Sequence, residues 1–221
     1  MIELLEKIQK NIFDALNIEK NDIQYKALEN LYKNIKDKTI FLQLIIANSL
    51  VCYQLSTENY WQEFSEYFSN KDIKNTITDE VDIFIRNSKN NKRLVDIKSK
   101  RLQKSNIFIQ DYQSRHKLFL ENPLIFAQDL KDTMNQKITD KTIVFTIKMW
   151  NYCSISEKKV FILPFELIIP IDSRLTNLYE KYNSDKSLKI KEFYHNLREK
   201  LSIPRLHLDA ILWVEYEKYM K

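Results

Sequence analysis

The chain has 221 residues, 44% hydrophobic and 29% charged, with a formal net charge of +5. That balance is too apolar for a disordered chain, and no apolar run approaches the roughly 18 residues of a membrane span. Glycine is absent where average usage of roughly 7% would supply about 15, so a Walker A loop and a GxGxxG fingerprint are excluded and a hairpin-rich all-β fold is disfavoured.

Helical periodicity runs from the start. Ile2, Leu5, Ile8, Ile12 and Leu16 share one face, followed by Ala27, Leu28, Leu31 and Ile35. This opening is an amphipathic helix rather than a basic region with an apolar core and a cleavage site, so a soluble cytoplasmic protein is expected. Residues 39–54 are apolar nearly all round and predict a buried central helix. Ser56 or Thr57 is placed to cap a helix over 58–69, with Trp61, Phe64 and Phe68 on one stripe. A helix near 78–87 follows, then a basic segment, a helix over about 107–119, and another from Pro123 to about Met134. Residues 135–140 connect it to a helix over 141–153 with Asp140 as N-cap. The run FILPFELIIPID reads as extended, because Pro164 and Pro170 bias the residue before them away from helix. Asp172 caps a helix over about 173–182, and helices over 186–200 and from Pro204 to Lys221 complete the chain. No repeat or linker separates domains. The expectation is an all-α fold, one helical domain over 1–221 built as two lobes that share a cleft.

Chemistry is concentrated in a few places. Seven basic residues lie between Lys89 and Lys104 (Lys89, Lys92, Arg93, Lys98, Lys100, Arg101, Lys104) against the single acid Asp96, followed by Arg115, His116 and Lys117. That stretch can bind phosphates or form a solvated helix face. Cys52 and Cys153 make no CxxC pair, and His116, His195 and His207 have no second ligand at zinc-site spacing, so no metal centre is expected.

The helix over 141–153 holds Ile143, Val144, Phe145, Ile147, Met149 and Trp150, yet also Lys141 and Lys148. Seven residues apart, the two amines differ by about 20° around the axis. Lys141 sits in the first turn, at the positive end of the helix dipole. Dipole, like-charged neighbour and desolvation each lower a lysine pKa, which is one way to make an amine nucleophile; two lysines snorkelling from a half-exposed helix is the plainer reading. Downstream, a carboxylate cap at Asp172 would stay ionised on backbone N–H groups. The pairing of a buried first-turn lysine, Lys141, after a helical hairpin with a downstream carboxylate cap points to DNA glycosylase chemistry.

Two strings carry a family resemblance. DKTIVFTIKM (140–149) is similar to the K-T-x-V-F-x-x-K-M signature of the archaeal GO glycosylases (AGOG), a branch of the helix-hairpin-helix DNA glycosylases that remove 8-oxoguanine, and LPFELIIPIDSR (163–174) resembles the family's proline-containing region ending in D-x-R. The resemblance implies an atypical helix-hairpin-helix motif over about 123–153, with Lys141 as Schiff-base nucleophile and Asp172 as catalytic carboxylate. It implies that Gln24, Trp61, Lys148, Asp209 and Trp213 surround the extruded base. Asp209 and Trp213 are one turn apart on a stripe with Leu206 and Ala210, so they face inward together. Ordinary hairpins of this class use glycine to approach DNA phosphate; here Asn135, Gln136, Lys137 and Asp140 stand in its place, so side chains such as Lys137 must share the grip. Arg174 would support the carboxylate or contact phosphate.

The resulting expectation is a nucleoid-associated prokaryotic enzyme. It would act without metal or cofactor on double-stranded DNA containing 8-oxoguanine, and a monomer would suffice. Two other readings stand beside it: a related glycosylase for another damaged base, and a non-catalytic helical protein that binds DNA or a partner.

Overall fold

The computed structural model describes residues 1–57, 59–152, 154–157, 159–185 and 187–221. In chain order its helices are α1 Ile2–Ile8, α2 Ile12–Glu19, α3 Ile23–Asn34, a 3-10 turn Lys38–Ile40, α4 Phe41–Val51, α5 Tyr60–Phe68, α6 Ile77–Asn87, α7 Val95–Glu121, α8 Pro123–Met134, α9 Lys141–Asn151, α10 Ser154–Glu157, α11 Ser173–Tyr182, α12 Ile190–Leu201, α13 Arg205–Val214 and α14 Tyr216–Met220. No strand occurs among the described residues, so the fold is all-α. None of these helices is long and apolar enough to cross a membrane. The chain forms two compact units: a continuous one, Ile23–Phe161, and a split one that joins Met1–Asp22 to Ile162–Lys221.

The continuous unit is organised around α4, every residue of which is buried. Helices α6, α7 and α9 pack against it, which is why its apolar residues show no preferred face. On one flank Tyr60, Trp61, Phe64, Phe68 and Phe84 form an aromatic layer with ring centroids 5.0–6.2 Å apart. On another, Phe126 stacks on Trp150 at 4.4 Å, and the indole N–H of Trp150 donates to the Tyr112 hydroxyl at 2.8 Å. The buried Trp150 N–H is thus satisfied within an apolar core.

The split unit closes two distant stretches of chain on one core, which includes Leu4, Ile8, Ala15, Leu178, Phe193, Leu197, Leu208, Ile211 and Tyr219. A buried polar tie crosses it. The Leu163 amide donates to His207 Nε2 at 2.9 Å, so the ring proton lies on Nδ1 and is donated to Glu19 Oε1 at 2.6 Å. Glu19 on α2, His207 on α13 and the extended stretch before α11 are joined by these two bonds.

Several expected boundaries move. The opening helix is two, broken at Gln9, whose φ of 38° is left-handed, and restarted by a reciprocal cap between Asn11 and Asp14. Ile2 is consequently exposed rather than on a buried face. Neither Ser56 nor Thr57 caps α5, which begins after Asn59; Glu58 lies outside the described residues. The basic segment is not a link before a helix at 107: it opens the 27-residue α7, entered through Leu94 at φ 57°. Asp140 precedes α9 but does not cap it, because its Oδ2 accepts the Lys137 amide at 3.1 Å. The last helix breaks at Glu215 into α13 and α14, and the one before it starts at Ile190. Lys186 and Cys153, where two expected helices begin and end, lie outside the described residues.

Candidate active site

Helix α9 starts where a glycine-free connection ends. Asn135 takes the left-handed conformation (φ 48°, ψ 52°) that glycine usually fills after a helix, and the Gln136 amide returns to the Lys131 carbonyl at 2.9 Å. The Lys137 carbonyl then accepts the Asp140 amide at 2.9 Å, closing a turn that ends at the first residue of α9. Two side chains of α7 brace this connection: Arg101 donates to Gln136 Oε1 at 2.5 Å and Lys104 to the Met134 carbonyl at 2.8 Å.

Lys141 is the first residue of α9 and is exposed, whereas Lys148 is 5% exposed. The expected burial of Lys141 is therefore incorrect: a residue at a helix start has no preceding turn to cover it. Taking Lys141 as zero, Phe145 lies about 40° and Lys148 about −20° around the axis, so the three share one narrow face. The Phe145 ring meets Trp61 at 6.2 Å, tilted by 52°. Trp61 itself is 2% exposed and belongs to the aromatic layer of α5 and α6. Gln24, in the first turn of α3, is half-buried, and α3 packs on α5. The continuous unit thus brings Trp61 to the lysine face of α9.

The split unit assembles the other expected residues. Asp172 caps α11, its Oδ1 accepting the Leu175 amide at 2.9 Å, while its Oδ2 accepts the Trp213 indole N–H at 3.0 Å. Both carboxylate oxygens are held, one by backbone and one by a ring. The Arg174 guanidinium lies 3.9 Å from the Trp213 ring centroid, and its Nη1 reaches the Trp213 carbonyl at 3.5 Å. Arg174 acts on Trp213, which in turn holds Asp172, a relation the sequence did not reveal. Asp209 is 2% exposed one turn before Trp213 on α13. Tyr194 was also missed. Burial, then the charges of Asp172 and Asp209, push its phenol above the ordinary range, and its hydroxyl donates to the Leu175 carbonyl at 2.5 Å. In sequence it is one aromatic of an amphipathic helix, with nothing to mark it.

Among the described residues no three His, Cys, Asp or Glu side chains cluster as a metal site would require. His116 bonds Tyr112 and Glu157, each at 3.0 Å, and His195 meets Arg205. Of the two cysteines, Cys153 lies outside the described residues and burial pushes the Cys52 thiol up, which disfavours its nucleophilic form.

The family model for AGOG N-glycosylase/DNA lyase matches residues 2–220. An N-glycosylase/DNA lyase of Thermococcus kodakarensis is 36% identical over 200 residues, 88% of this chain and 75% of its own. One from Methanococcus maripaludis is 36% identical over 200 residues, covering 88% and 78%. Another, from Nanoarchaeum equitans, is 33% identical over 217 residues, covering 96% and 88%. The fold is that of the 8-oxoguanosine-complexed 8-oxoguanine DNA glycosylase of Pyrobaculum aerophilum, with a TM-score of 0.83 at 24% identity, covering 98% of this chain and 89% of that one. With a lysine at the head of α9, a locked carboxylate at the head of α11 and a family match over almost every residue, this chain belongs to the AGOG N-glycosylase/DNA lyase family.

Proposed function

We propose that the chain excises 8-oxoguanine from duplex DNA and then cleaves the abasic strand. The observation that carries this reading is the carboxylate at the head of α11, whose two oxygens are already held by N–H donors; the other unit holds an exposed lysine at a helix start, on the face that meets Trp61. The solved relative from Pyrobaculum aerophilum, which carries 8-oxoguanosine, supports the choice of base.

A base inside duplex DNA must be flipped out, at a cost of a few kcal/mol, before its glycosidic bond can be reached. In this reading Gln24, Trp61, Lys148, Asp209 and Trp213 receive it. Arg174 already covers one face of Trp213, so a base has only the opposite face for stacking worth roughly 1–3 kcal/mol. Oxidation turns guanine N7 from acceptor to donor, and an acceptor placed to receive that new N–H, such as the Gln24 amide oxygen or the Asp209 carboxylate, selects the change.

The neutral Lys141 amine attacks C1′ of the sugar; the N–C1′ bond forms as the C1′–base bond breaks, and the departing base takes a proton. Asp172 stabilises the positive charge that develops on the sugar, a role suited to a carboxylate fixed in orientation beforehand. Loss of the ring oxygen from C1′ gives an iminium, whose acidified 2′ proton leaves as the 3′ phosphate is eliminated. The reading requires Lys141 and Asp172 to serve the same nucleotide, and it makes the two units lobes of one enzyme, with α8, 135–140 and α9 as its helix-hairpin-helix. Lys137 and the backbone of 135–140 would take DNA phosphate, and one monomer suffices.

Borohydride trapping on a duplex with one 8-oxoguanine tests this, beside Lys141→Gln and an undamaged duplex. A covalent band that depends on the lesion and falls at least ~10³-fold in Lys141→Gln is expected. A band that persists in the variant would overturn the nucleophile, and base release without any band would make the protein a monofunctional glycosylase. Neither band nor release, with both recovered on another damaged base, would replace the substrate.

A further inference from the structure

We propose that Lys92, Arg93 and Lys100 form a DNA-backbone surface continuous with the 135–140 connection, a proposal that rests on the DNA-directed reading above. The seven cations between Lys89 and Lys104 divide into two kinds. Three are engaged within the protein: Lys98 is fully buried, donating to Asn91 Oδ1 and to the Tyr53 carbonyl at 2.7 Å; Arg101, half-buried, holds Gln136; Lys104, itself exposed, spends its amine on the Met134 carbonyl. Burial pushes the Lys98 amine down to about 8, consistent with an internal tie and not a phosphate contact. Lys89, Lys92, Arg93 and Lys100 are exposed, and among the described residues none has a carboxylate within 4.0 Å. The one acid of the segment, Asp96, is engaged by Arg86 at 3.4 Å.

The loop that carries Lys92 and Arg93 is held rigidly. Glu63 on α5 accepts from the Ser88 hydroxyl, the Lys89 and Asn90 amides and the Asn90 side chain. Although burial acts to raise it, those donors hold the Glu63 carboxyl below its usual range, so its charge is spent on the loop. From the other side, the Ser56 amide donates to the Asn90 carbonyl at 2.8 Å and Thr57 Oγ1 to Asn90 Oδ1 at 2.6 Å. With residues 88–90 anchored, the backbone that leads into Lys92 and Arg93 has little freedom to lose on meeting a phosphate, which lowers the cost of a contact there.

The braces also set the position of this surface. Arg101 and Lys104 grip the 135–140 connection, and Lys100 lies only about 40° from Lys104 around α7. Lys100 therefore flanks the connection on one side of the Arg101–Gln136 link, with the exposed Lys137 next to Gln136 in the chain. From Val95 to Lys104 the helix rises about 14 Å, roughly four base-pair steps of 3.4 Å each. The surface is thus long enough to follow several phosphates along one strand away from the connection.

The test is the salt dependence of binding to an undamaged duplex by the whole protein, compared with K92A/R93A/K100A and with a control, K191A/K200A/K221A, that removes the same charge from exposed positions elsewhere. Each phosphate contact contributes about 0.9 to the slope of log K against log salt, so the first variant should have a slope shallower by about 2 to 3 and the control an unchanged one. A slope within about 1 of the parent, or an equal loss in the control, overturns the surface. Because the duplex is undamaged, this result is independent of which base is excised; failure of the parent to bind any duplex would instead sink the DNA reading on which the surface rests.

Discussion

The two units hold their functional side chains by opposite means. In the continuous unit the lysines ride on α9, a helix packed against the wholly buried α4 and steered by ring contacts such as Phe145 with Trp61. Its orientation comes from nondirectional packing, and Lys141 escapes it only by standing first in the helix. In the split unit the carboxylate is held by directed bonds: the α11 amide and the Trp213 indole on Asp172, Arg174 on Trp213, and the Glu19–His207–Leu163 tie. On the mechanism proposed above, packing suffices where the reacting atom sits at the end of a flexible stem that must reach a sugar. Directed bonds are needed where a charge must be aimed before it is used, and where two distant chain segments have to be registered on each other.

That contrast can be broken from the split side first. His207→Ala leaves both the buried Glu19 carboxylate and the Leu163 amide without a partner, at about 1–3 kcal/mol each; a large fall in Tm is expected, and a parent-like Tm would show that packing alone registers the two segments. Trp213→Phe keeps a ring under Arg174 but removes the N–H to Asp172. A hydrogen bond to a charged group is worth about 1.5–3 kcal/mol, so kcat for base release should drop by roughly 10- to 100-fold while KM changes little. A rise in KM with kcat intact would instead make Trp213 a stacking surface only. On the continuous side the smallest effect is expected: Lys104→Ala removes one donor from the Met134 carbonyl and should cost about 0.5–1.5 kcal/mol in urea unfolding, with Lys104→Arg recovering most of it.

Much of this was legible in the residues. The helix from Pro123 to Met134 and the Asp172-capped helix over 173–182 appear at their expected bounds, because proline at a first helical position and aspartate at a cap act through atoms close in sequence. The buried central helix is equally readable, since an all-round apolar run has no other place to go. Caps at Ser56, Thr57 and Asp140 failed for a local reason of another kind: a side chain that can bond one amide can as readily bond a neighbouring one, as Asp140 does with Lys137.

The chain alone therefore specified an all-α protein, the starts of α8, α9 and α11 and the family signature, all of which follow from periodicity and from contacts within a turn or two. Which cations of the 89–104 stretch are engaged within the protein, that Trp213 spends its N–H on Asp172, that Arg174 serves the indole, and that His207 joins Glu19 to Leu163 depended on the folded structure. Each of these is a partnership between residues 30 to 188 positions apart, except the internal tie of Lys98 to Asn91. Long-range partners are selected by how whole helices pack, and a composition or a period carries no record of that choice.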